Sequence, residues 1–341
     1  MDNDEVTIHD IANILGLNSS TVSRALSNSP RVAKKTKDRI FEKAAELGYQ
    51  RNHLASNLRK SKTFTLGVIV PRISRQFFSN AIAGIEETAF KAGYNVIICQ
   101  SLESLEREQG IVDTLLANRV DGLLISISME TKNYDHLQGL KKRNIPIVFF
   151  DRHCNIPGNN NVIIDDFKSA FIATEHLILK KCKEISHFAG PQNLEIYRNR
   201  FKGYKAALEK HNLPFREELV ITSKLMEKEG SENVKKMLAL PYNVDGLFCA
   251  NDVVAISAIQ YLKKQGFRIP EDIAIVGFSN ESISSVIEPA LTTVNQPGLE
   301  IGITATNLLL EKIMDESKKL VSETIIIKTN LIERKSTMRF S

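Results

Sequence analysis

The sequence predicts a small all-α unit at the N-terminus, followed by a larger α/β domain of two lobes built on parallel sheets. Three observations predict this. The chain has 341 residues, more than one hydrophobic core usually organises. Apolar residues in the first 50 positions recur at helical spacing, and from Phe64 onward short apolar runs alternate with helical patterns. We therefore expect residues 1–50 to form the helical unit, 51–63 a hinge and linker, and 64–341 the α/β domain.

The composition favours an ordinary globular protein. Apolar residues make up 43% of the chain and charged residues 25%. The first five residues, 1–5, are acidic and polar rather than basic and then apolar, and no run of 18 apolar residues follows. The four cysteines lack the paired spacing of zinc sites and redox motifs. These features predict a cytoplasmic protein with reduced thiols, no metal and no cofactor.

The positive charge is concentrated at the N-terminus. Residues 1–62 carry 11 Lys and Arg against 7 Asp and Glu, whereas the rest of the chain carries 34 against 33. A local surplus of this kind suits a polyanionic partner, although four surplus charges alone are weak evidence.

Three short helices are expected in the N-terminal unit. The first begins at Thr7, which forms a variant capping box with Asp10, and ends at Gly16. The second is capped by Asn18 or Ser19. The third is expected over 34–47 and is stopped by Gly48. Their inward faces are the apolar residues at helical spacing: Ile8, Ile11, Ala12 and Leu15; Val22, Ala25 and Leu26; Ile40, Phe41, Ala44 and Leu47.

Two short helices joined by a tight turn and backed by a third can present one helix to a major groove. The outward face of the second helix would then read the bases; it carries Ser19, Ser20, Ser23 and Arg24. Phosphate contacts are expected from nearby hydroxyl and ammonium groups, those of Thr7, Thr21, Ser27, Lys34 and Lys35. The alternative is a helical bundle with a polar face and no nucleic-acid partner.

The residues of this unit resemble the headpiece of the LacI/GalR repressor family. The resemblance covers positions 6–60, in Val6-Thr-Ile-His-Asp-Ile-Ala, Gly16-Leu-Asn-Ser-Ser-Thr-Val-Ser-Arg-Ala-Leu-Ser, Val32-Ala-Lys-Lys-Thr, Leu47-Gly-Tyr and Asn52-His-Leu-Ala-Ser-Asn-Leu. It implies a transcription factor that binds double-stranded DNA through a helix-turn-helix. Ser19 and Ser20 fall on the family's specificity pair, and Arg24 falls on its base-contacting arginine.

The same resemblance assigns residues 52–60 to a hinge that becomes helical when two subunits meet on an operator. Leu58 matches the apolar lever that enters the minor groove, where kinking of the duplex is offset by wider contact. The alternative for Leu58 is a linker residue that packs on its own domain. The expected DNA-binding set is Thr7, Asn18, Ser19, Ser20, Thr21, Ser23, Arg24, Ser27, Asn52, Ala55 and Leu58.

The larger domain contains continuous apolar runs that are typical of parallel strands buried on both faces. These runs are 66–70, 95–99, 121–125, 146–150, 185–188, 245–249 and 273–277, with two further strand-like runs at 324–328 and 330–334. Ligands of such folds bind beyond the carboxyl ends of the strands. The residues at those ends are mostly polar or aromatic: 71–78, Asp151-Arg152, Gly190-Pro191, Asn251-Asp252 and Ser279-Asn280. Such groups suit a sugar, although an acidic residue after a strand is more often a helix cap.

The family resemblance continues through this domain and implies a periplasmic-binding-protein-like fold with Rossmann-like lobes. It runs through Gly67-Val-Ile-Val-Pro, Pro146-Ile-Val-Phe-Phe-Asp-Arg, Arg200-Phe-Lys-Gly-Tyr, Ala250-Asn-Asp and Pro289-Ala-Leu-Thr-Thr-Val. The expected effector-binding set is Phe77, Phe78, Asp151, Arg152, Arg200, Asn251, Asp252, Ser279 and Asn280. At Ser279-Asn280 the chain departs from the acidic residue of sugar-binding relatives, which leaves the effector's identity open.

Together with the family resemblance, these features predict a homodimeric transcriptional repressor of carbohydrate-utilisation genes. We expect it to bind a palindromic operator and to be controlled by a small molecule such as a sugar. No leucine heptads follow the last strands, so we expect a dimer rather than a tetramer. The alternatives are a solute-binding protein, or a sugar-acting enzyme with an appended helical module. The commonest catalytic motifs are absent from the sequence, and no membrane association is expected.

Overall fold

The computed structural model describes residues 6–49, 62–153, 159–315 and 322–339. Two compact units divide the chain, one over Met1–Thr63 and the other over Phe64–Ser341. Helices of the first unit are α1 (Ile8–Leu15), α2 (Ser19–Leu26) and α3 (Lys34–Glu46). Within the second unit two six-stranded sheets are flanked by helices, as predicted for two α/β lobes.

The capping box predicted at the first helix is present. The Thr7 hydroxyl accepts a hydrogen bond from the Asp10 backbone N–H, and the Asp10 carboxylate accepts one from the Thr7 backbone N–H at 2.8 Å. These bonds satisfy two donors that a helix start otherwise leaves open. Gly16 and Gly48 both have φ of +64°, a left-handed conformation that ends the first helix and follows the third.

The core of the first unit is small, and one predicted member is wrong. Its buried apolar residues come from all three helices and the segment after the second: Ile11, Ala12, Val22, Ala25, Val32, Ile40 and Ala44. Phe41 was predicted to be buried but is 45% exposed. It lies directly after Ile40 on the third helix, and successive helical residues point about 100° apart, so only Ile40 faces the core.

The first lobe of the α/β domain has the strand order β11-β5-β4-β3-β1-β2, with every neighbouring pair parallel. Its strands are β1 (Thr65–Val70), β2 (Asn95–Gln100), β3 (Gly122–Ile125), β4 (Ile147–Phe150), β5 (Asn160–Ile164) and β11 (Thr324–Ile327). Its helices are α4 (Gln76–Lys91), α5 (Leu105–Ala117), α6 (Gln138–Lys142) and α12 (Gly298–Met314). The expectation that β2 is buried on both faces is wrong: it is the sheet's edge, and Ile98 is 38% exposed.

The second lobe has the order β12-β10-β9-β8-β6-β7, parallel except for the antiparallel pair of β10 and β12. Its strands are β6 (Ile185–Ala189), β7 (Val220–Thr222), β8 (Gly246–Cys249), β9 (Ala274–Ser279), β10 (Thr292–Asn295) and β12 (Asn330–Ile332). Its helices are α7 (Asp166–Leu179), α8 (Glu195–Lys210), α9 (Glu227–Leu238), α10 (Asp252–Lys264) and α11 (Ile283–Val286). Strands β5, β7 and β10 were not predicted.

The chain passes between the lobes three times. It leaves the first sheet after β5, returns after β10 through Gln296 and Pro297, and crosses again between β11 and β12. The three connecting segments can act as a hinge while each sheet keeps its own core. This is the geometry of domain closure around a ligand.

His187, on β6, gives the α/β domain an acid-sensitive element. Its ring is buried and stacks between Phe248 and Tyr204, with ring centroids 4.7 and 5.0 Å away. Its Nδ1 lies 3.0 Å from the Phe248 carbonyl oxygen, to which it donates, and its Nε2 is buried without a partner among the described residues. Burial lowers the pKa of His187 from 6.5 to about 4.

We therefore expect the free energy of unfolding of this domain to fall as the pH drops from about 6.5 to about 4. Over that window the unfolded chain takes up a proton that the folded imidazole does not, so the stability present above pH 6.5 is progressively lost, by about 3 kcal/mol for this group. Urea unfolding of wild type and His187→Phe at several pH values measures this. Equal pH dependence in the two proteins would contradict it.

Candidate functional site

The second helix of the N-terminal unit separates its apolar and polar residues cleanly. Val22 and Ala25 are buried, whereas Ser20 and Arg24 are exposed. Three more of the predicted contact residues, Ser19, Thr21 and Ser23, are half-buried at the border of the two faces. The side chain of Arg24 makes no hydrogen bond or ion pair within the described residues, so its guanidinium is available to an external acceptor.

Two of the predicted phosphate-contacting hydroxyls already have partners. Thr7 donates to the Asp10 carboxylate at 2.6 Å, and Ser27 donates to the Ser23 carbonyl oxygen at 2.8 Å. Each oxygen can still accept a hydrogen bond, but phosphate oxygens also accept, so these hydroxyls would have to turn to serve as donors. Asn18 precedes the helix without a side-chain capping bond. The predicted hinge residues Asn52, Ala55 and Leu58 lie outside the described residues.

A cleft opens between the two lobes of the α/β domain, at the carboxyl ends of the parallel strands. About 630 Å³ of space, open solvent included, lies within it. Seven of the nine residues predicted from the sequence as effector contacts line it: Phe77, Phe78, Asp151, Arg152, Arg200, Asn251 and Ser279. The fold therefore brings together side chains that are more than 200 positions apart in the chain.

Asp151 follows β4 at the floor of the cleft. Its backbone has φ of +60°, a left-handed conformation that is costly for a residue with a side chain and is found where function demands it. The carboxylate accepts a hydrogen bond from the Gln296 amide at 2.6 Å, across the connection between the lobes. Burial raises the pKa of Asp151, while the positive charges of Arg152 and Arg200 oppose the rise.

Arg200, on α8, is anchored on three sides within the cleft lining. Its Nε donates to the Asp166 carboxylate at 2.7 Å, and its Nη1 donates to the Ala250 carbonyl oxygen at 2.7 Å. The guanidinium carbon also lies 3.5 Å from the centroid of the Phe278 ring. A buried guanidinium held in this way is preorganised to donate its remaining N–H groups to a ligand.

Arg152 is tied to Glu103, a residue that the sequence did not reveal. Its two terminal nitrogens lie 2.6 and 3.1 Å from the two Glu103 oxygens, and one of them also donates to the Ile127 carbonyl oxygen at 3.2 Å. This bidentate pair neutralises the guanidinium. Arg152 therefore lines the cleft mainly as a neutralised side chain that is held in place. Its Nε is buried without a partner among the described residues.

Aromatic rings form the apolar part of the cleft. Phe77 and Phe78 lie in the first turn of α4, with ring centroids 5.0 Å apart and planes at 70°. Tyr197, on α8, was not predicted; its ring packs so closely on Gly190 that a Cβ there would lie 2.4 Å from it. This contact explains the glycine that follows β6. The Tyr197 hydroxyl makes no hydrogen bond within the described part of the chain.

Asn251 lines the cleft, yet both of its polar atoms are used within the protein. Its oxygen caps α10 by accepting from Val254 N–H at 2.9 Å, and its amide donates to the Leu225 carbonyl oxygen at 3.0 Å. Ser279 has φ of +111° and donates to the Gln296 oxygen at 3.3 Å. The side-chain oxygens of Asn251 and Ser279 can each accept one further bond from a ligand.

Two predicted effector residues do not line the cleft. Asp252 is buried beneath it, where its carboxylate accepts from the hydroxyls of Thr293 at 2.6 Å and Ser284 at 2.7 Å. Asn280 is bonded elsewhere within the protein. Its side-chain oxygen accepts from Arg334 Nη2 at 2.7 Å, and its amide nitrogen donates to the Asn295 side-chain oxygen at 3.0 Å. Each follows a residue that does face the cleft, and successive residues at a strand end face opposite sides.

Twelve further lining residues were not singled out individually from the sequence: Arg72, Arg75, Glu103, Met129, Ile196, Tyr197, Lys224, Leu225, Met226, Val253, Glu281 and Gln296. Arg72 and Arg75 fall in the segment 71–78 that was flagged after the first strand. A prediction of β10 would have identified Gln296, which follows it directly. Glu103 lies three residues after the end of β2, but that strand end was not among those flagged. Tyr197 had no such signal, because only the packing of α8 on β6 places it here.

Within the described ranges, no cluster of three or more His, Cys, Asp or Glu is arranged to hold a metal ion. In the same residues, no helix combines the length and apolar character that crossing a bilayer would require.

Comparison with known proteins matches both units to one family. The family model described as "Bacterial regulatory proteins, lacI family" matches residues 7–52. The model described as "Periplasmic binding proteins and sugar binding domain of LacI family" matches residues 63–335.

Individual relatives align over almost the whole chain. The transcriptional repressor PurR of Actinobacillus pleuropneumoniae is 29% identical over 97% of this chain and 98% of its own. The ribose operon repressor of Halalkalibacterium halodurans is 31% identical over 97% of each chain. The structure of the lac repressor dimer bound to operator and the anti-inducer ONPF is 26% identical, with a TM-score of 0.86 over 98% of this chain and 100% of that one. The chain therefore belongs to the LacI family of bacterial transcriptional regulators, which bind DNA through the helix-turn-helix unit and are regulated by a small molecule in the larger domain.

Proposed function

We propose that this regulator is a cytoplasmic homodimer that represses carbohydrate-utilisation genes and takes a sugar into the cleft between its lobes. One observation carries the proposal. The polar side chains of Asp151, Arg200 and Tyr197 line one cleft together with the aromatic rings of Phe77 and Phe78. Sugar hydroxyls both donate and accept hydrogen bonds, and the C–H face of a sugar ring packs on aromatic rings, so this set matches both surfaces of a sugar.

The relatives support this choice of ligand class. One is named as a ribose operon repressor, and solved structures similar to this chain include a regulator in complex with cellobiose and another with bound ribose. Because the family consists of transcriptional regulators, we propose that the cleft binds its ligand without turnover. Conversion of a sugar by the purified protein would contradict this.

The regulatory signal would be a change in how the lobes close. Contacts that already join the lobes include the hydrogen bond from the Ser282 hydroxyl to Gln76 at 2.6 Å and that from the Asn193 amide to the Met129 carbonyl oxygen at 2.7 Å. A ligand that contacts both lobes favours one degree of closure over another. In a dimer this movement would change the spacing of the two DNA-binding units, with a coupling free energy of about 1–3 kcal/mol.

A thermal-shift screen against sugars tests the proposal. A ligand at 100 times its dissociation constant should stabilise the protein by about 2.7 kcal/mol, which is readily detected. Sugars that give a shift are then added to an operator-binding titration, where affinity for the operator should change. A response confined to nucleobases would contradict the sugar as effector while leaving DNA-binding regulation in place.

The proposed dimer is tested by sedimentation. The α/β domain exposes several large apolar side chains, and in the proposed dimer a second subunit would cover part of this apolar surface; among them are Ile73, Phe90, Ile98, Ile283 and Val286. We expect the mass of two chains at micromolar concentration. A tetramer, or a monomer that still binds a palindromic operator tightly, would contradict the proposal.

Replacing Arg24 with alanine should weaken operator binding by about 1–3 kcal/mol and relax the preference at one base position. The reason is that a guanidinium on the exposed face of a groove-reading helix pairs with one guanine. Lys35→Ala is the matched control: it also removes one exposed positive charge, and it should weaken binding equally on all sequences. Binding titrations on operators randomised one position at a time distinguish the two. A uniform loss for Arg24→Ala would show that it contacts phosphate alone.

A further inference from the structure

Two arginines lie on the loop between β1 and α4, on the first lobe's side of the cleft. Arg72 and Arg75 both line the cleft, and both are half-buried. They bring the number of cationic side chains around the cleft to five, with Arg152, Arg200 and Lys224, against the three acidic side chains of Glu103, Asp151 and Glu281 in the described lining.

The cations differ in whether the protein already neutralises them. Arg152 is paired with Glu103 and Arg200 with Asp166. Arg72, by contrast, has no acidic group within 4.0 Å in the described part of the chain, and its Nε is buried without a hydrogen-bond partner there. Arg75 contacts the sulfur of Met226 at 3.7 Å, a weak acceptor. Buried N–H groups of native proteins nearly always have a partner, so the Nε of Arg72 points to a group that the protein itself does not supply.

The surroundings of the pair favour an anion. The helix α4 begins at Gln76, directly after Arg75, with no acidic residue in its first turn, so the positive end of its dipole faces the same region. The Glu281 carboxylate, from the facing lobe, accepts a hydrogen bond from the Gln76 backbone N–H and interacts with the charge of Arg75. A carboxylate of the protein thus already sits beside this loop, and it would compete with an anionic ligand.

We propose that the effector carries an anionic group, a phosphate or a carboxylate, and that Arg72 together with Arg75 binds it. The planar guanidinium presents a fork of donors that matches both groups, whereas the hydroxyls of a neutral sugar need no such pair of cations. The inference rests on the proposed function, because it assumes that a sugar binds in the cleft and specifies that this sugar carries a negative charge.

The test compares matched probes on the full-length protein. Isothermal calorimetry is performed with glucose, glucose 6-phosphate and glucuronate, with ribose and ribose 5-phosphate, with fructose and fructose 6-phosphate, and with inorganic phosphate alone. For the sugar that fits, the anionic form should bind about tenfold to a hundredfold more tightly than the neutral form, the range expected for hydrogen bonds to a charged group. The phosphate and glucuronate arms distinguish the two sources of negative charge.

Three variants assign the effect to the loop. Arg72→Gln should abolish most of the preference for the anionic probe, and Arg72→Lys should keep part of it. Glu281→Gln removes the competing carboxylate and should strengthen anion binding severalfold. Arg143→Gln, an exposed arginine outside the cleft lining, is the matched control and should change nothing. Thermal unfolding without ligand verifies that each variant folds, and the opposite signs expected for Arg72→Gln and Glu281→Gln cannot both come from misfolding.

The outcomes separate the two proposals. Equal or tighter binding of a neutral sugar, unchanged by Arg72→Gln, would overturn the anionic effector and leave the sugar-binding function standing. Absence of binding by every probe would contradict the sugar effector itself and, with it, this inference. A preference for the anionic form that survives Arg72→Gln would overturn the role of the loop.

Discussion

Replacing Arg200 with alanine is expected to lower the free energy of unfolding of the α/β domain by about 3–5 kcal/mol. Asp166 is the reason. Its carboxylate is 5% exposed in side-chain area, and it depends on the Arg200 guanidinium 2.7 Å away for its neutralisation. Burial raises the pKa of Asp166 to about 6, against the opposing charge of Arg200. Without the arginine the acid must either carry an unpaired buried charge or take up a proton.

A double variant separates stability from ligand binding. Replacing both members with apolar residues of similar size, as Arg200→Met with Asp166→Leu, removes the unpaired charge and should recover most of the lost stability. It should not recover effector binding, since the donor that faces the cleft is gone. Urea unfolding and calorimetry measure the two properties separately. A double variant as unstable as the single one would show that the contacts of Arg200 with Ala250 and Phe278, rather than the ion pair, hold this region together.

Replacing Ile40 with alanine is expected to abolish operator binding while leaving effector binding intact. Ile40 is fully buried in the N-terminal unit, and removal of a buried isoleucine side chain costs about 2–5 kcal/mol. A unit of this size buries only a small core, so that loss is comparable with its whole stability. Operator titration and effector calorimetry on the same preparation measure the two functions.

Phe41→Ala is the matched control, because Phe41 is adjacent on the same helix but is 45% exposed. It removes a larger side chain than Ile40→Ala, yet it should change the stability of the unit far less. Equal losses of stability in the two variants would mean that the Phe41 side chain is covered in the assembled protein. Retention of operator binding by Ile40→Ala would show that DNA binding itself supplies the stability the variant lacks.

Two of the strands that sequence periodicity missed are buried through polar side chains whose partners lie far away in the chain. The missed strand β5 begins with Asn160 and Asn161, both buried. The amide of Asn161 donates to the Thr324 hydroxyl at 3.1 Å, a residue 163 positions later. Strand β10 likewise opens with Thr292 and Thr293, whose hydroxyls are bonded within the core. Polar residues of this kind look like turn residues until their distant partners are known.

The candidate site shows the same division. The sequence assigned Asp151 and Arg200 to the effector site, Asp151 from its strand end and the family resemblance, and Arg200 from the resemblance alone. It also selected Asp252, which instead bonds to Thr293 and Ser284 below the cleft. It did not flag Glu103, which follows the end of β2, and it had no means of finding Tyr197, whose position depends on how its helix packs against the residue after β6. Local pattern thus predicts where a site lies, whereas the complete set of contacts requires the tertiary structure.

The three crossings of the chain between the lobes also bear on how the protein is made. Neither lobe is a continuous piece of sequence, since β11 adds an edge strand to the first sheet and β12 adds one to the second. During synthesis both sheets therefore remain incomplete until residues 324–332 have left the ribosome. Until then β5 and β10 present open edges of the kind that lead to aggregation, so a nascent chain that stalls shortly before residue 324 would be a substrate for chaperones.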